Sequence, residues 1–222
     1  RPSAPAGSSE RTSSETFKPA KSVSNSVGAK FQVMTGYPGP GSGNGKLQFT
    51  RNSKFECPSD PNSNESWANI NYSASQGGAV PGAETCVPCC TGRTFYYNGI
   101  FYPSSHIRLR DVTDGSSNVF MIGETRYSPL AGNYAGSWAA SPDRNIPFSL
   151  VAADQPINGS TSNPATNSNM WTIMSRYMGS NHEGGCHVAM ADGSVHFISE
   201  NIDLALFRNL GARNDGTPVG EW

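Results

Sequence analysis

The side chains best able to do chemistry in this sequence are its cysteines, three of which stand close together in the run 86–90 (CVPCC). Thiolates bind zinc and the run resembles half of a zinc knuckle, but no second half with matching spacing follows, because Cys57 and Cys186 are isolated. Five cysteines in a polar, glycine- and asparagine-rich chain are typical of an oxidising compartment. The sequence therefore favours disulfides over zinc. The disulfide candidates are Cys57, Cys86, Cys89 and Cys90.

The connectivity of these disulfides stays open. We expect Cys57 to join one member of the 86–90 cluster. Neighbouring cysteines strain both the peptide and the disulfide geometry, so Cys89 and Cys90 are not expected to bond to each other. Cys186 is then the odd cysteine, and we predict that it is a buried free thiol acting as a small hydrophobic side chain.

A second group of potential metal ligands is His182, Cys186 and His187. Histidine and cysteine both bind zinc, yet residues 186 and 187 are consecutive in a predicted strand, where successive side chains point to opposite faces. The pattern favours a structural role, in which His182 donates a hydrogen bond that fixes the approach of Gly184-Gly185 to the strands that follow. His196 is predicted to face the surface.

Oxygen ligands occur together in the segment 111–118 (DVTDGSSN). Asp111, Asp114 and Asn118 are weak calcium candidates, because they do not match the calcium loop with ligands at alternate positions and a late glutamate. Asp and Asn side chains in such a segment also bond to nearby backbone groups in Asx-type turns. We therefore expect a turn between strands and no cofactor, with calcium as the alternative.

No arrangement of catalytic residues can be read from the sequence. The nucleophile-elbow pattern G-x-S-x-G is absent. Glu124 and Glu183 offer two carboxylates, but nothing in the sequence places them together. The four tryptophans are better interpreted as core or interface anchors than as sugar-stacking platforms; they are Trp67, Trp138, Trp171 and Trp222. We predict that the chain is not an enzyme.

The composition indicates an exported protein. Hydrophobic residues make up 36% of the chain and charged residues 15%, below the ~45–50% and ~25% of ordinary soluble domains. The net charge is −1, with no block of like charges, so no nucleic-acid partner is expected. No apolar run approaches the ~18–20 residues that cross a bilayer. No signal peptide is present either, so we expect any export segment to have been removed before Arg1 and the location to be extracellular, cell-surface or periplasmic.

The chain divides into a flexible segment rich in Ser, Pro and Gly, residues 1–46, and a β-rich domain, residues 47–222. The flexible segment lacks the apolar surface that would offset the entropy lost on ordering. In the domain, residues 107–112 and 119–122 are predicted strands on either side of a turn. Residues 153–169 are predicted to form a long polar surface loop.

A β-hairpin is predicted around Asp192-Gly193, because Asp-Gly tolerates the positive φ angles of a two-residue type I′ turn. In that register Met190 pairs with Val195 and Val188 pairs with Phe197, which forms one apolar face.

A short helix is predicted after the hairpin, because four apolar residues have the spacing of one helical face; they are Ile202, Ala205, Leu206 and Leu210. Ser199 or Asn201 is expected to cap its start, and Gly211 to end it in the left-handed conformation. The predicted fold class is α+β, mainly antiparallel β-sheet with a few short helices.

The C-terminal third resembles a known family. His182, nine intervening residues and Asp192-Gly193 reproduce the spacing of the prepilin-type processing-associated His-x9-Asp-Gly domain. The surrounding residues 178–185 (MGSNHEGG), the continuation DGSVHFISENIDL and the closing DGTPVGEW agree with it. The motif residues are His182, Gly184, Gly185, Asp192 and Gly193.

Two upstream segments are similar to further signatures of the same proteins. They are residues 57–61 (CPSDP) and residues 111–118, which lead to Gly123-Glu124. The resemblance covers roughly residues 48–222. Members of this family typically begin with a prepilin peptidase site and a long apolar helix, and then carry a secreted β-rich head.

The resemblance implies a pilin-like head: the non-catalytic, exposed part of a pseudopilin subunit in a bacterial surface filament or type II secretion-like assembly. Its expected partners are other pilin-like subunits or further copies of itself, with membrane contact only through a helix absent from this chain. The alternative is an extracellular solute- or glycan-binding protein, which a deep pocket lined by aromatic side chains would favour.

Overall fold

The structure is a computed structural model, and it describes residues 52–61, 70–86, 94–102, 105–126, 150–159, 177–220 and 222. All of these residues belong to the unit Gln32–Trp222. The flexible segment predicted for residues 1–46 lies outside the described residues and stays a prediction. No helix in the described part of the chain has the length and apolar character needed to cross a membrane.

The described residues form mostly a mixed sheet of five strands, accompanied by one helix and short 3₁₀ turns. The strands in chain order are β1 (Tyr72–Gly78), β2 (Thr85–Cys86), β3 (Phe95–Tyr96), β4 (Phe120–Glu124), β5 (Leu150–Ala153), β6 (Gly185–Met190) and β7 (Val195–Ser199). Helix α1 spans Leu204–Gly211, and the 3₁₀ turns are Ser53–Phe55, Leu109–Asp111 and Ser116–Asn118. The large sheet has the order β5-β1-β4-β6-β7, while β2 and β3 form a separate two-stranded ribbon.

The sheet is dominated by antiparallel pairs, as predicted, but it is mixed. The neighbouring pairs β1–β4, β4–β6 and β6–β7 are antiparallel, whereas β1 and β5 run parallel, with Ala74 opposite Leu150. The residue pattern of a short strand reports which side chains are buried and not the direction of a partner far along the chain. That is why the parallel pair was not predicted.

The predicted hairpin is present as β6 and β7, and Gly193 has the expected positive φ, +89°. The predicted register is wrong by one residue, since Ala189 pairs with Val195 and Val188 pairs with His196. Asp192 lacks the positive φ that a type I′ turn requires. The loop has three residues, 191–193, and ends in a left-handed glycine, which is the next commonest hairpin connection.

Helix α1 is confirmed, but its two ends differ from the prediction. Asp203 caps the start, because its Oδ1 accepts a backbone N–H of the first turn at 2.9 Å; the expected caps were Ser199 and Asn201. Gly211 is the last helical residue and lacks a positive φ. A Cβ on Gly211 would lie 2.8 Å from the Cβ of Ala153. The glycine therefore permits close packing of helix on sheet.

The hydrophobic core lies on one face of the sheet, beneath α1. Phe207 and Leu210 of the helix are fully buried, and the Phe207 ring lies 5.6 Å from that of Phe120 on β4. Strand β6 contributes three core side chains, Cys186, Val188 and Met190. The inward-facing, buried position predicted for Cys186 is confirmed, and the thiol is free.

Of the two strands predicted on either side of the turn at residues 114–115, the structure contains only the second. Residues 107–112 are not a strand, because Leu109–Asp111 form a 3₁₀ turn and Leu109 is 73% exposed. The strand predicted at 119–122 is present as β4. Of the loop predicted at 153–169, Ala153 ends β5 and residues 160–169 lie outside the described residues.

Candidate functional site

A row of side chains crosses the sheet on the face opposite α1. Tyr72 of β1 pairs with Glu124 of β4, and His187 of β6 pairs with Phe197 of β7. The backbone N–H of His187 donates to Oε2 of Glu124 at 2.9 Å, which joins the two pairs. Because successive side chains on a strand point to opposite faces, His187 faces away from the core that holds Cys186. These four residues, Tyr72, Glu124, His187 and Phe197, are the cross-strand row.

Cys57 reaches this row from the segment that precedes β1. Asn71, 1% exposed, accepts the backbone N–H of Cys57 on its Oδ1 at 2.9 Å. Its Nδ2 donates to Oδ2 of Asp60 at 2.8 Å and to the carbonyl of Thr125 at 2.9 Å. One buried amide therefore ties the Cys57 segment to the residue that follows β4.

His182 reaches the row from the segment between residues 178 and 185. Ser180 organises this segment, since its hydroxyl donates to the carbonyl of Gly185 at 2.6 Å and accepts the backbone N–H of His182 at 3.0 Å. Arg126 donates from Nε to the Ser180 carbonyl at 2.6 Å. Holding Gly185 was the role predicted for His182. That prediction is wrong, because Ser180 makes the bond and leaves the imidazole to face the sheet.

The three side chains converge on one point. Sγ of Cys57 lies 3.4 Å from Nε2 of His182, and Oε1 of Glu124 lies 3.5 Å from the same nitrogen. All three donor atoms lie within 4.8 Å of one another. Cys57 and Glu124 are 2% and 1% exposed, while the His182 side chain keeps 29% of its surface accessible. We call Cys57, Glu124 and His182 the Cys-Glu-His cluster.

The Glu124 carboxylate is only half satisfied by hydrogen bonds. Oε2 accepts the backbone N–H of His187 and lies 3.5 Å from its Nδ1. Oε1 is buried and has no hydrogen-bond donor in bonding geometry among the described residues. A buried carboxylate oxygen without a well-formed hydrogen bond is costly, and its neighbours here are the Cys57 thiol and, at 3.5 Å, Nε2 of His182.

The electrostatics of the cluster favour protonated groups. Burial raises the pKa of the Cys57 thiol, and the neighbouring Glu124 carboxylate raises it further, although donors from the Ser59 backbone and the Tyr72 side chain oppose the shift. Burial, followed by the charges of Cys57 and Glu124, raises the pKa of Tyr72 to about 12. A second negative charge beside Glu124 is therefore disfavoured unless a cation accompanies it.

The arrangement differs from a Cys-His-acid catalytic triad. In a triad the nucleophile and the acid contact different ring nitrogens, so that one nitrogen takes the proton while the other is held in position. Here Cys57 and Glu124 both contact Nε2 of His182. The raised pKa of Cys57 is also opposite to what an activated thiolate requires. The donor set, a thiol, an imidazole and a carboxylate, is one that zinc uses.

The structure places the other predicted site residues elsewhere. Cys57 is a free thiol, which differs from the predicted bridge to the 86–90 cluster, because its sulfur faces His182. Cys86 ends β2, while Cys89 and Cys90 lie outside the described residues. Pairing among those three stays a prediction.

The calcium candidates bond to backbone groups. Asp114 accepts the N–H groups of Asp215 and Gly216 at 2.8 and 3.1 Å. Oδ2 of Asp111 accepts the N–H of Arg108, and Nδ2 of Asn118 donates to the Asp114 carbonyl. The contacts of Asp111 and Asn118 are with nearby backbone groups, as the sequence favoured, whereas those of Asp114 are with a distant segment of the chain.

The model of a bacterial family described as "Protein of unknown function (DUF1559)" matches residues 16–205. The chain belongs to this family. No curated protein and no solved structure matches it. In this family member the Cys-Glu-His cluster takes one residue from each of three separate segments within the matched range.

Sequence reasoning missed the cluster as a unit. It considered His182, Cys186 and His187 together, of which the structure brings His182 and His187 close, with ring centroids 4.9 Å apart, and sends Cys186 to the core. The available signal was that Cys57, Glu124 and His182 each stand in a segment that carries the family resemblance.

Proposed function

We propose that this chain is the non-catalytic, exposed pilin-like head of a His-x9-Asp-Gly subunit that assembles with other pilin-like subunits at the bacterial surface. The observation that carries the proposal is that the segments of the resemblance bind one another. Cys57, Glu124 and His182 come from three of them and meet in one cluster. A framework shared by three segments in this way supports a structural role for these residues.

The remaining segments support the same interpretation. Asp114, in the segment 111–118, accepts two backbone N–H groups of the closing segment at 215–216. The carbonyl of Ser116 accepts the N–H of Asp192 at the hairpin tip, at 3.0 Å. The Asp192 carboxylate accepts the N–H of Ser194 at 2.8 Å, which fixes the turn. Each polar side chain in these contacts is occupied with holding the backbone.

A surface suited to subunit contact lies on β7, which is at the end of the strand order among the described residues. Val195 and Phe197 are 67% and 47% exposed on its outer face. A strand at a sheet edge offers unpaired backbone groups and pairs readily with another chain. Natural proteins usually protect such edges with charges, so exposed apolar side chains here favour a docking role for another pilin-like subunit.

The test is site-specific photo-crosslinking in the bacterium that produces the protein. A photoreactive side chain replaces Phe197 in one variant and, in the control, Leu109, an apolar residue outside the sheet that is even more exposed, at 73%. We expect position 197 to crosslink to another copy or another pilin-like subunit, and position 109 not to. Protease treatment of intact cells should remove the protein, since the head is exposed.

Equal absence of crosslinks at both positions, or protection from protease in intact cells, would overturn the proposal. Crosslinking of position 197 to an unrelated secreted protein would also contradict it. Specific retention on a sugar or small-solute panel, with no subunit contact, would favour the binding-protein alternative.

A further inference from the structure

We propose that Cys57, Glu124 and His182 are the protein ligands of one zinc ion. The inference goes beyond the proposed function and does not depend on it, because the site would serve any role that needs the three segments held together.

Two distances within the cluster are close to those between the ligands of a tetrahedral zinc site. In a tetrahedral zinc site with Zn–S near 2.3 Å and Zn–N and Zn–O near 2.1 Å, sulfur and nitrogen lie about 3.6 Å apart and nitrogen and oxygen about 3.4 Å apart. The observed separations are 3.4 Å between Sγ of Cys57 and Nε2 of His182, and 3.5 Å between that nitrogen and Oε1 of Glu124. Two of the three separations therefore match those of zinc ligands, and the third, between the Cys57 sulfur and the Glu124 carboxylate, is no more than 4.8 Å.

The buried oxygen of Glu124 is the second observation. Oε1 belongs to a residue that is 1% exposed, and no donor in the described part of the chain is in bonding geometry to it. It faces the two other ligand atoms, within 4.8 Å. A cation at the centre of the cluster would compensate the carboxylate and allow the Cys57 thiol to ionise, since metals bind the thiolate and release its proton.

Two hydrogen-bond donors lie beside the Cys57 sulfur, although burial and Glu124 raise the pKa of the thiol as long as no metal is bound. The backbone N–H of Ser59 and the hydroxyl of Tyr72 both act to stabilise the charged sulfur. Thiolate and imidazole ligands select zinc over the hard cations calcium and magnesium, which take oxygen ligands. The donor chemistry therefore specifies a borderline-soft metal ion.

His187 positions the carboxylate and is not itself a ligand in this proposal. Its backbone N–H and its Nδ1 both face Oε2 of Glu124, at 2.9 and 3.5 Å, and leave Oε1 directed at the cluster. The His182 and His187 side chains are 29% and 44% exposed. The histidine side of the cluster therefore lies close to the protein surface, and in this proposal a water molecule fills the fourth coordination position.

The experiment uses the whole chain, reduced and freed of metal with a chelator. Titration with Co²⁺ should produce one equivalent of thiolate-to-cobalt charge-transfer absorption, and Zn²⁺ should displace it. Cys57→Ser, Glu124→Gln and His182→Gln should each lose the site. His187→Ala should bind about 10- to 100-fold more weakly, as expected for a residue that orients a ligand.

Two controls separate this cluster from other thiols and histidines. His196→Gln removes an exposed imidazole on β7 and should leave Co²⁺ binding unchanged. Cys86→Ser combined with Cys89→Ser and Cys90→Ser removes all three thiols of the 86–90 run and should also leave it unchanged.

A second measurement does not depend on how the variants fold. X-ray absorption of the zinc-loaded native chain should show one sulfur and three nitrogen or oxygen neighbours around the metal. A shell of three or four sulfurs would place the metal on the 86–90 cysteines and overturn the proposal. Failure of the native chain to take up either metal, or full binding by His182→Gln, would overturn it as well.

Discussion

Glu124 and His187 face each other across β4 and β6, joined by a 2.9 Å hydrogen bond from the His187 backbone N–H to Oε2 of Glu124. The backbone N–H and Nδ1 of His187 both face Oε2 of Glu124, at 2.9 and 3.5 Å, and together they hold the carboxylate in one orientation. The relationship links the sheet ladder to the Cys-Glu-His cluster, because the other oxygen of Glu124 faces His182.

The first prediction concerns two properties of Glu124 that affect stability: the hydrogen bond that it accepts from the His187 N–H, and its negative charge. In metal-free protein, Glu124→Ala should lower the free energy of unfolding by about 1–3 kcal/mol, because it removes the acceptor of the His187 N–H. Glu124→Gln keeps an acceptor oxygen and removes a buried charge, so its unfolding free energy should stay close to that of the native chain. Denaturant titration of both variants measures this. Equal destabilisation by the two substitutions would contradict the assignment.

The second prediction concerns the buried amide of Asn71. Asn71→Ala should destabilise the protein by about 1–3 kcal/mol or more, because the N–H of Cys57 and the carboxylate of Asp60 both lose a partner. Asn201→Ala, at an exposed position, is the matched control and should change stability by less than about 0.5 kcal/mol. Similar effects in the two variants, measured by denaturant unfolding, would show that Asn71 does not connect the Cys57 segment to the sheet.

The third prediction tests the hairpin loop. Gly193 has φ +89°, and a Cβ there would meet no atom within 4 Å, so any cost of substitution comes from the backbone. Gly193→Val should destabilise by about 1 kcal/mol or more, since β-branched residues tolerate positive φ poorly. Gly193→Asn should cost less, because asparagine adopts the left-handed region more readily. Thermal unfolding of the pair provides the comparison, and equal melting temperatures of the two variants would show that the positive φ at residue 193 does not set the cost of substitution.

The fourth prediction concerns alkaline pH. The pKa of Tyr72 is raised to about 12 in the native state, first by burial and then by the charges of Cys57 and Glu124, whereas an unfolded tyrosine ionises near pH 10. Between these values the native state binds more protons than the unfolded state. The contribution of Tyr72 to stability is thus complete below about pH 10 and is lost as the pH rises to about 12.

Tyr72→Phe removes this titration, so its unfolding free energy should decline less steeply than that of the native chain over the same range. Denaturant unfolding at several pH values between 9 and 12 measures both slopes. Parallel declines would mean that Tyr72 ionises at its ordinary pKa in the folded protein.

The elements that depend on neighbouring residues were predictable from the sequence. The hairpin, helix α1 and strand β4 follow from local periodicity and from the preference of Gly193 for positive φ. The inward position of Cys186 follows from strand alternation with Val188 and Met190. The exact hairpin register was not predictable, because two- and three-residue loops place the same Asp-Gly pair at the turn and differ by only one residue in pairing.

The candidate site was decided by tertiary structure. Cys57 and His182 are 125 residues apart and meet only because Asn71 and Ser180 fasten their segments over the same face of the sheet. The parallel pairing of β1 with β5 and the close contact of Gly211 with Ala153 also join distant parts of the chain. Periodicity and spacing in the sequence predict local structure: the type of element and the face on which a side chain lies. Contacts between distant residues depend on how whole strands and segments pack, and that information appears only when the chain is folded.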